Sequence, residues 1–219
     1  MKFFVLQNLL NKDAEKIIDN FEINNNEFIV FVEKFNFYFL KKYFFIYKKT
    51  KPISETVLIL IKLILKNLFK NFIFKKRIKN YIYIDKINSE EFIQFCKKEN
   101  FKFGLLINSP IIKKNIINSL NIPLVNIHIG HLPYYRNKYS NIRAMLENQN
   151  PAISIHLIDE YIDFGKILSI IKFPYLPYES FEILNLKTNN FRISAFITFK
   201  NYFLKHNTFS SLNVRRHKD

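Results

Sequence analysis

Strand-length apolar runs alternate with helix-length runs through residues 2–128, and that rhythm admits very few folds. Residues 2–6, 27–32, 81–84, 103–107 and 124–128 read as strands. Residues 12–21, 89–98 and 109–120 read as helices, the last two opened by Ser89 and by Ser109-Pro110. Strands separated by helices pair in parallel, because a crossover must carry the chain back to the edge it left. The expected fold class is therefore α/β: a single domain with a mainly parallel, twisted sheet flanked by helices. Ligands of such sheets bind beyond the carboxyl ends of the strands, where His128 would sit. Beyond residue 128 the pattern predicts a helix over 140–148 and strands over 152–158 and 166–173. A break at Pro174-Tyr175-Leu176-Pro177 and a helix over 178–204 follow. The 219 residues suffice for one core, expected to occupy 1–206, with a frayed, polar and basic tail at 207–219.

Charge is concentrated in one place. The formal net charge is +16, and between residues 41 and 80 eleven Lys and one Arg face a single acid, Glu55. Such a block is either a solvated face or a surface for an anionic partner: nucleic acid, anionic lipid or a nucleotide-linked substrate. Within it lies an apolar helical insert at about 54–75, with Ser54 as its cap and Val57-Leu58-Ile59-Leu60-Ile61 as its core run. Lys62, Lys66 and Lys70 recur every four residues along one face and interrupt the span that a membrane crossing needs. The insert packs on the sheet or on a second subunit, or it lies on a membrane surface as a basic amphipathic helix. Cys96 is the one cysteine, which excludes an internal disulfide, offers no metal pair and fits a reducing compartment. No metal is expected. With no cleavable leader pattern, the expected location is cytoplasmic, and whether residues 54–75 also touch the inner face of the membrane stays open.

Two segments carry the chemistry. The first runs Val125-Asn126-Ile127-His128-Ile129-Gly130-His131-Leu132-Pro133-Tyr134-Tyr135-Arg136. In a strand Asn126 and His128 point to the same face, so an amide and an imidazole meet at its end. The second runs Ile155-His156-Leu157-Ile158-Asp159-Glu160-Tyr161-Ile162-Asp163-Phe164-Gly165 and brings a carboxylate. An amide, an imidazole and a carboxylate together polarise a carbonyl and move a proton.

These segments resemble the signature of the folate-dependent formyltransferases, the family of glycinamide ribonucleotide, methionyl-tRNA and sugar-nucleotide N-formyltransferases. Asn126 to Arg136 matches its Asn-x-His-x-x-x-Leu-Pro-x-Tyr-Arg pattern, and Ile155 to Gly165 its His strand followed by Asp-Glu-x-Ile-Asp-x-Gly. The resemblance implies the Rossmann-like formyltransferase fold, transfer from 10-formyltetrahydrofolate, and Asn126, His128 and Asp163 as catalytic residues. It implies Gly104, Leu105, Ile107, Asn108, Asp159 and Gly165 at the folate, and Pro133, Tyr135, Arg136 and His156 at the acceptor. Where the family has a glycine after Tyr-Arg this chain has Asn137, a residue that also tolerates positive φ.

Departures narrow the acceptor. No tRNA-gripping domain is expected in the stretch after Asp163. The Gln7-Asn8-Leu9-Leu10-Asn11-Lys12 loop lacks the glycines of a phosphate loop, which weakens a phosphoribosyl acceptor. A small primary amine remains, foremost an amino sugar on a nucleotide or lipid, as in surface polysaccharide synthesis; a homodimer stays open. The alternative is a catalytically inactive binding protein of the same fold, using its basic face for a membrane surface or nucleic acid.

Overall fold

The computed structural model describes residues 3–7, 28–33, 37–77, 81–84, 86–176 and 178–206. Strands β1 (Phe3–Gln7) and β2 (Phe28–Glu33) are followed by helices α1 (Phe37–Lys48) and α2 (Ile53–Arg77). Then come β3 (Tyr81–Ile84), α3 (Glu90–Glu99), β4 (Gly104–Leu106), α4 (Lys114–Leu120) and β5 (Leu124–His128). The chain closes with α5 (Ser140–Leu146), β6 (Ala152–Leu157), β7 (Ile167–Lys172) and α6 (Phe181–His206). The seven strands form one sheet in the order β3-β2-β1-β4-β5-β6-β7. β1 to β5 are parallel, while β6 runs antiparallel to β5 and β7 antiparallel to β6. The α/β fold class stands. The helix expected at 12–21 and the tail at 207–219 lie outside the described residues.

Alternation along the central strands builds two cores. Phe3, Val5, Leu105, Val125 and Ile127 enter one, closed by Phe196 and Phe199 of α6. Phe4, Leu6, Leu106 and Leu124 enter the other, covered by α3 and α4. Phe4 packs edge-on against Phe31, Phe92 and Phe101, with centroids 5.3–5.6 Å apart. Gly104 lies under that ring, and a Cβ there would meet both the Phe4 ring and Leu124. Cys96 belongs to the same core, and burial pushes its thiol up to about 12, so it stays a packed, protonated side chain.

Local signals set α3. Ser89 accepts from the Phe92 amide, Glu90 and Glu91 sit in the first turn, Lys97 and Lys98 in the last, and Asn100 closes it at φ 52°. The expected helix at 109–120 is shorter than its Ser-Pro signal predicts, beginning only at Lys114. Asn88 explains this: its amide donates to the Ile111 carbonyl and its oxygen accepts from the Lys113 amide. Those bonds hold residues 111–113 out of the helix, and a helix there would have to break both. The helix expected over 140–148 likewise ends at Leu146, with Asn148 at φ 54°. Helix α1 has no counterpart in the sequence reading; it packs against α2, and a four-residue link joins the two.

Candidate active site

The carboxyl end of β5 is where the two matched segments meet. β5 and β6 pair so that Asn126 lies opposite His156 and His128 opposite Ser154. Cross-strand partners stand about 5 Å apart at Cβ, close enough for side chains to bond. Asn126 Nδ2 is 3.1 Å from His156 Nε2, and His156 Nδ1 is 2.8 Å from the Leu157 carbonyl oxygen. A carbonyl only accepts, so Nδ1 carries the hydrogen and Nε2 takes one from the Asn126 amide. His156 thereby turns Asn126 so that one amide hydrogen is used and the other is left for a ligand.

His128 has a different neighbourhood. Its Nε2 lies 2.8 Å from the Tyr135 carbonyl oxygen, which again requires a hydrogen on that nitrogen. Its Nδ1 stands 3.4 Å from Asp163 Oδ2. That separation exceeds an ordinary hydrogen bond, so Nδ1 keeps a direction open toward a third group. Asp163 is held in place by the Asn137 amide at 3.0 Å and lies 3.6 Å from His156 Nε2. It adopts φ 60°, a left-handed conformation that a non-glycine residue takes at a cost and that clusters at functional sites. Asn137 sits at φ 69°, a left-handed conformation that asparagine tolerates.

The loop after β5 is stapled over the imidazole. Ser154 Oγ donates to the Gly130 carbonyl at 2.6 Å and accepts from the Leu132 amide at 3.0 Å. A Cβ on Gly130 would lie 2.6 Å from His128 Nε2 and 2.7 Å from the Tyr135 oxygen, so any larger residue displaces the ring. Arg136 reaches across to the second loop, donating to the Asp163 carbonyl and lying 3.6 Å from the centre of the Phe164 ring. The two segments are thus clamped to each other.

Burial pushes the His156 imidazole below its usual value, and the Leu157 carbonyl and Asp163 carboxylate only partly offset this. His156 is therefore neutral, and its contact with Asp163 is not an ion pair at pH 7. An unfolded imidazole titrates near ~6.5. Between that value and the lower folded one the unfolded chain holds the extra proton, so stability is full above about pH 6.5 and falls as pH drops. We expect His156→Gln to flatten the acid-side decline of Tm between roughly pH 6.5 and 5. A slope identical to wild type would show that His156 is not the neutral, buried group described.

A cavity of about 880 Å3 opens at this point, within the range of small-molecule sites. Asn126, His128, His156 and Asp163 line it together with Asn108 and Asp159. Other residues that the resemblance implied lie elsewhere. Leu105 and Ile107 point into the sheet core, Gly104 packs under Phe4, and Gly165 packs against the Leu157 carbonyl. Pro133 is exposed, Tyr135 meets the site through its backbone oxygen, and Arg136 acts as the clamp. The Tyr135 hydroxyl instead donates to Glu147 at 2.6 Å. The sequence reading passed over Leu106, Ser140, Asn141, Thr188 and Arg192, which all line the cavity. Period two from Asn108 singles out Leu106. Nothing local marks Arg192, which donates to Asn108 from 84 residues away.

The fold and the arrangement of this site define an α/β protein of the formyltransferase fold. Solved structures with that fold include the phosphoribosylglycinamide formyltransferase of Campylobacter jejuni, with a TM-score of 0.60 at 16% identity over 93% of this chain and 97% of that one. The sugar N-formyltransferase from a Shewanella species gives a TM-score of 0.58 at 17% identity, covering 89% of this chain and 65% of that chain. The 4-N formyltransferase of Francisella tularensis gives 0.57 at 18% identity, covering 93% and 69%. The chain spans about two thirds of the length of these last two proteins. Comparison with protein-family models finds no match, and neither does comparison with curated protein sequences.

Proposed function

We propose that this protein transfers a formyl group from 10-formyltetrahydrofolate to a primary amine, with an amino sugar carried on a nucleotide or lipid as the acceptor. The observation that carries the reading is the meeting of Asn126, His128 and Asp163 at one end of the cavity, each already oriented by a partner.

The residues present fit the folate. Leu106, Ile112 and Ile158 offer apolar walls for a flat ring system, and Asp159 offers an acceptor for its amino edge. When bound, the folate supplies an electrophilic formyl carbon. The free Asn126 amide hydrogen and, in the imidazolium form, the His128 Nδ1 hydrogen are the donors for the negative charge that develops on the formyl oxygen. Donors fixed in advance are worth roughly 3 kcal/mol each in such sites. In this reading Asp163 takes the proton that the attacking amine gives up and that proton passes to N10 of the folate as the formyl C–N10 bond breaks, while the carboxylate charge supports His128 as a donor.

Two features support a sugar. The α6 wall presents Asn185, Thr188 and Asn189, amide and hydroxyl groups suited to a hydroxylated acceptor. The solved structures of this fold also include a sugar N-formyltransferase. We expect calorimetry to show saturable binding of 5-formyltetrahydrofolate, and mass spectrometry to show formylation of a nucleotide-linked amino sugar. Absence of folate binding by the folded protein would overturn the formyl transfer reading. Turnover of glycinamide ribonucleotide but no amino sugar would overturn the acceptor alone.

A further inference from the structure

Helix α2 turns only part of its apolar surface inward, where Ile59, Leu60, Leu63 and Ile64 are half-buried. Thr56 is fully buried, and its hydroxyl has no hydrogen-bond partner among the described residues. On the opposite side Val57, Leu58, Ile61 and Leu65 are exposed by 43% to 60%. At 100° per residue these four fall within one stripe about a third of the circumference wide, the spacing of an apolar face. Phe45 and Ile46 of the neighbouring α1 are also about half exposed. Isolated exposed leucines need no explanation, but a contiguous stripe on one helix pair does.

The charge around the stripe identifies what covers it. Residues 37–77 carry ten Lys and one Arg against Glu55 alone. Glu55 itself is paired with Lys51 at 3.2 Å. Lys41, Lys48, Lys49 and Lys62 are exposed beside the apolar stripe. A second copy of the chain is a poor occupant, because a two-fold contact would set the same block of positive charge against itself. RNA would answer the charge but has no apolar surface on which to bury four aliphatic side chains. An anionic lipid surface answers both, with aliphatics entering the headgroup boundary and lysine stems extending to the phosphates. No described helix is long and apolar enough to cross a membrane, so the contact is lateral.

We infer that the α1–α2 pair docks the protein on an anionic lipid bilayer, with Val57, Leu58, Ile61 and Leu65 inserted and the flanking lysines on the headgroups. The inference is independent of the catalytic reading, since none of these residues lines the cavity.

Vesicle co-sedimentation of the full chain tests it, using an equal mixture of phosphatidylglycerol and phosphatidylcholine against phosphatidylcholine alone. The expected result is binding to the mixed vesicles only. The exposed-site variant Leu58→Ser/Ile61→Ser/Leu65→Ser is expected to lower partitioning roughly tenfold or more, with an unchanged melting curve. Lys41→Gln/Lys48→Gln/Lys49→Gln is expected to weaken it as well. Wild-type binding that the serine variant fully retains would overturn the inference and point to a purely electrostatic ligand such as RNA. Absence of vesicle binding would also overturn it, and concentration-dependent dimerisation would then assign the stripe to a second copy.

Discussion

His128→Asn is expected to lower kcat by about a hundred- to ten-thousand-fold, with KM for both substrates changed far less. The imidazole spans two groups at once, the Tyr135 carbonyl on one nitrogen and the Asp163 carboxylate on the other. Asparagine can keep one of those contacts, so the loop over Gly130 has a reason to stay closed. What it cannot supply is a second nitrogen facing the cavity. The loss therefore falls on the charge that develops during reaction rather than on binding. Steady-state kinetics with folate and acceptor varied separately is the check. A variant that kept wild-type kcat would remove His128 from the chemistry and leave it as a loop anchor.

Gly165→Ala is expected to destabilise the protein by about 3 kcal/mol, which for a domain of this size lowers Tm by roughly 6 to 12 °C. The added Cβ would overlap the Leu157 carbonyl oxygen, and the next neighbour is also backbone, the Asp159 amide at 3.3 Å. Backbone cannot rotate aside as a side chain does. Residues 158–164 would have to lift away from β6, and Asp163 would move with them. Folate affinity should consequently fall together with Tm, although Gly165 touches no part of the cavity. Thermal melting read beside folate calorimetry separates the outcomes, and a fully stable Gly165→Ala protein would refute the close approach of the two backbones.

Much of the site was legible because it is local. Asn126 and His128 are two residues apart on a strand, and the period of a strand places them on one face. Gly130 and Gly165 stand out in a chain with three glycines, and both occupy places where a Cβ has no room. Asn137 was read as a stand-in for glycine and takes positive φ. The alternation of runs was enough to reach a mainly parallel sheet, because strand and helix periods are properties of neighbouring residues.

The misses share a cause of another kind. Ser109-Pro110 carries every local mark of a helix start, yet Asn88, more than twenty residues earlier, claims the backbone groups that the helix would use. Helix α1 is rich in aromatic residues, which favour helix weakly, and it packs along α2. Arg192 enters the cavity only because α6 folds back over β5 and β6. By itself the sequence determined the periodicity of the strands, the tight turns and the placing of Asn126 and His128 on one strand face, all set within a few residues. The tertiary structure alone decided which residues of α6 line the cavity, how His156 orients Asn126, and that Val57, Leu58, Ile61 and Leu65 of α2 face outward. Those depend on contacts between segments far apart in the chain, where packing and hydrogen-bond satisfaction outweigh local preference.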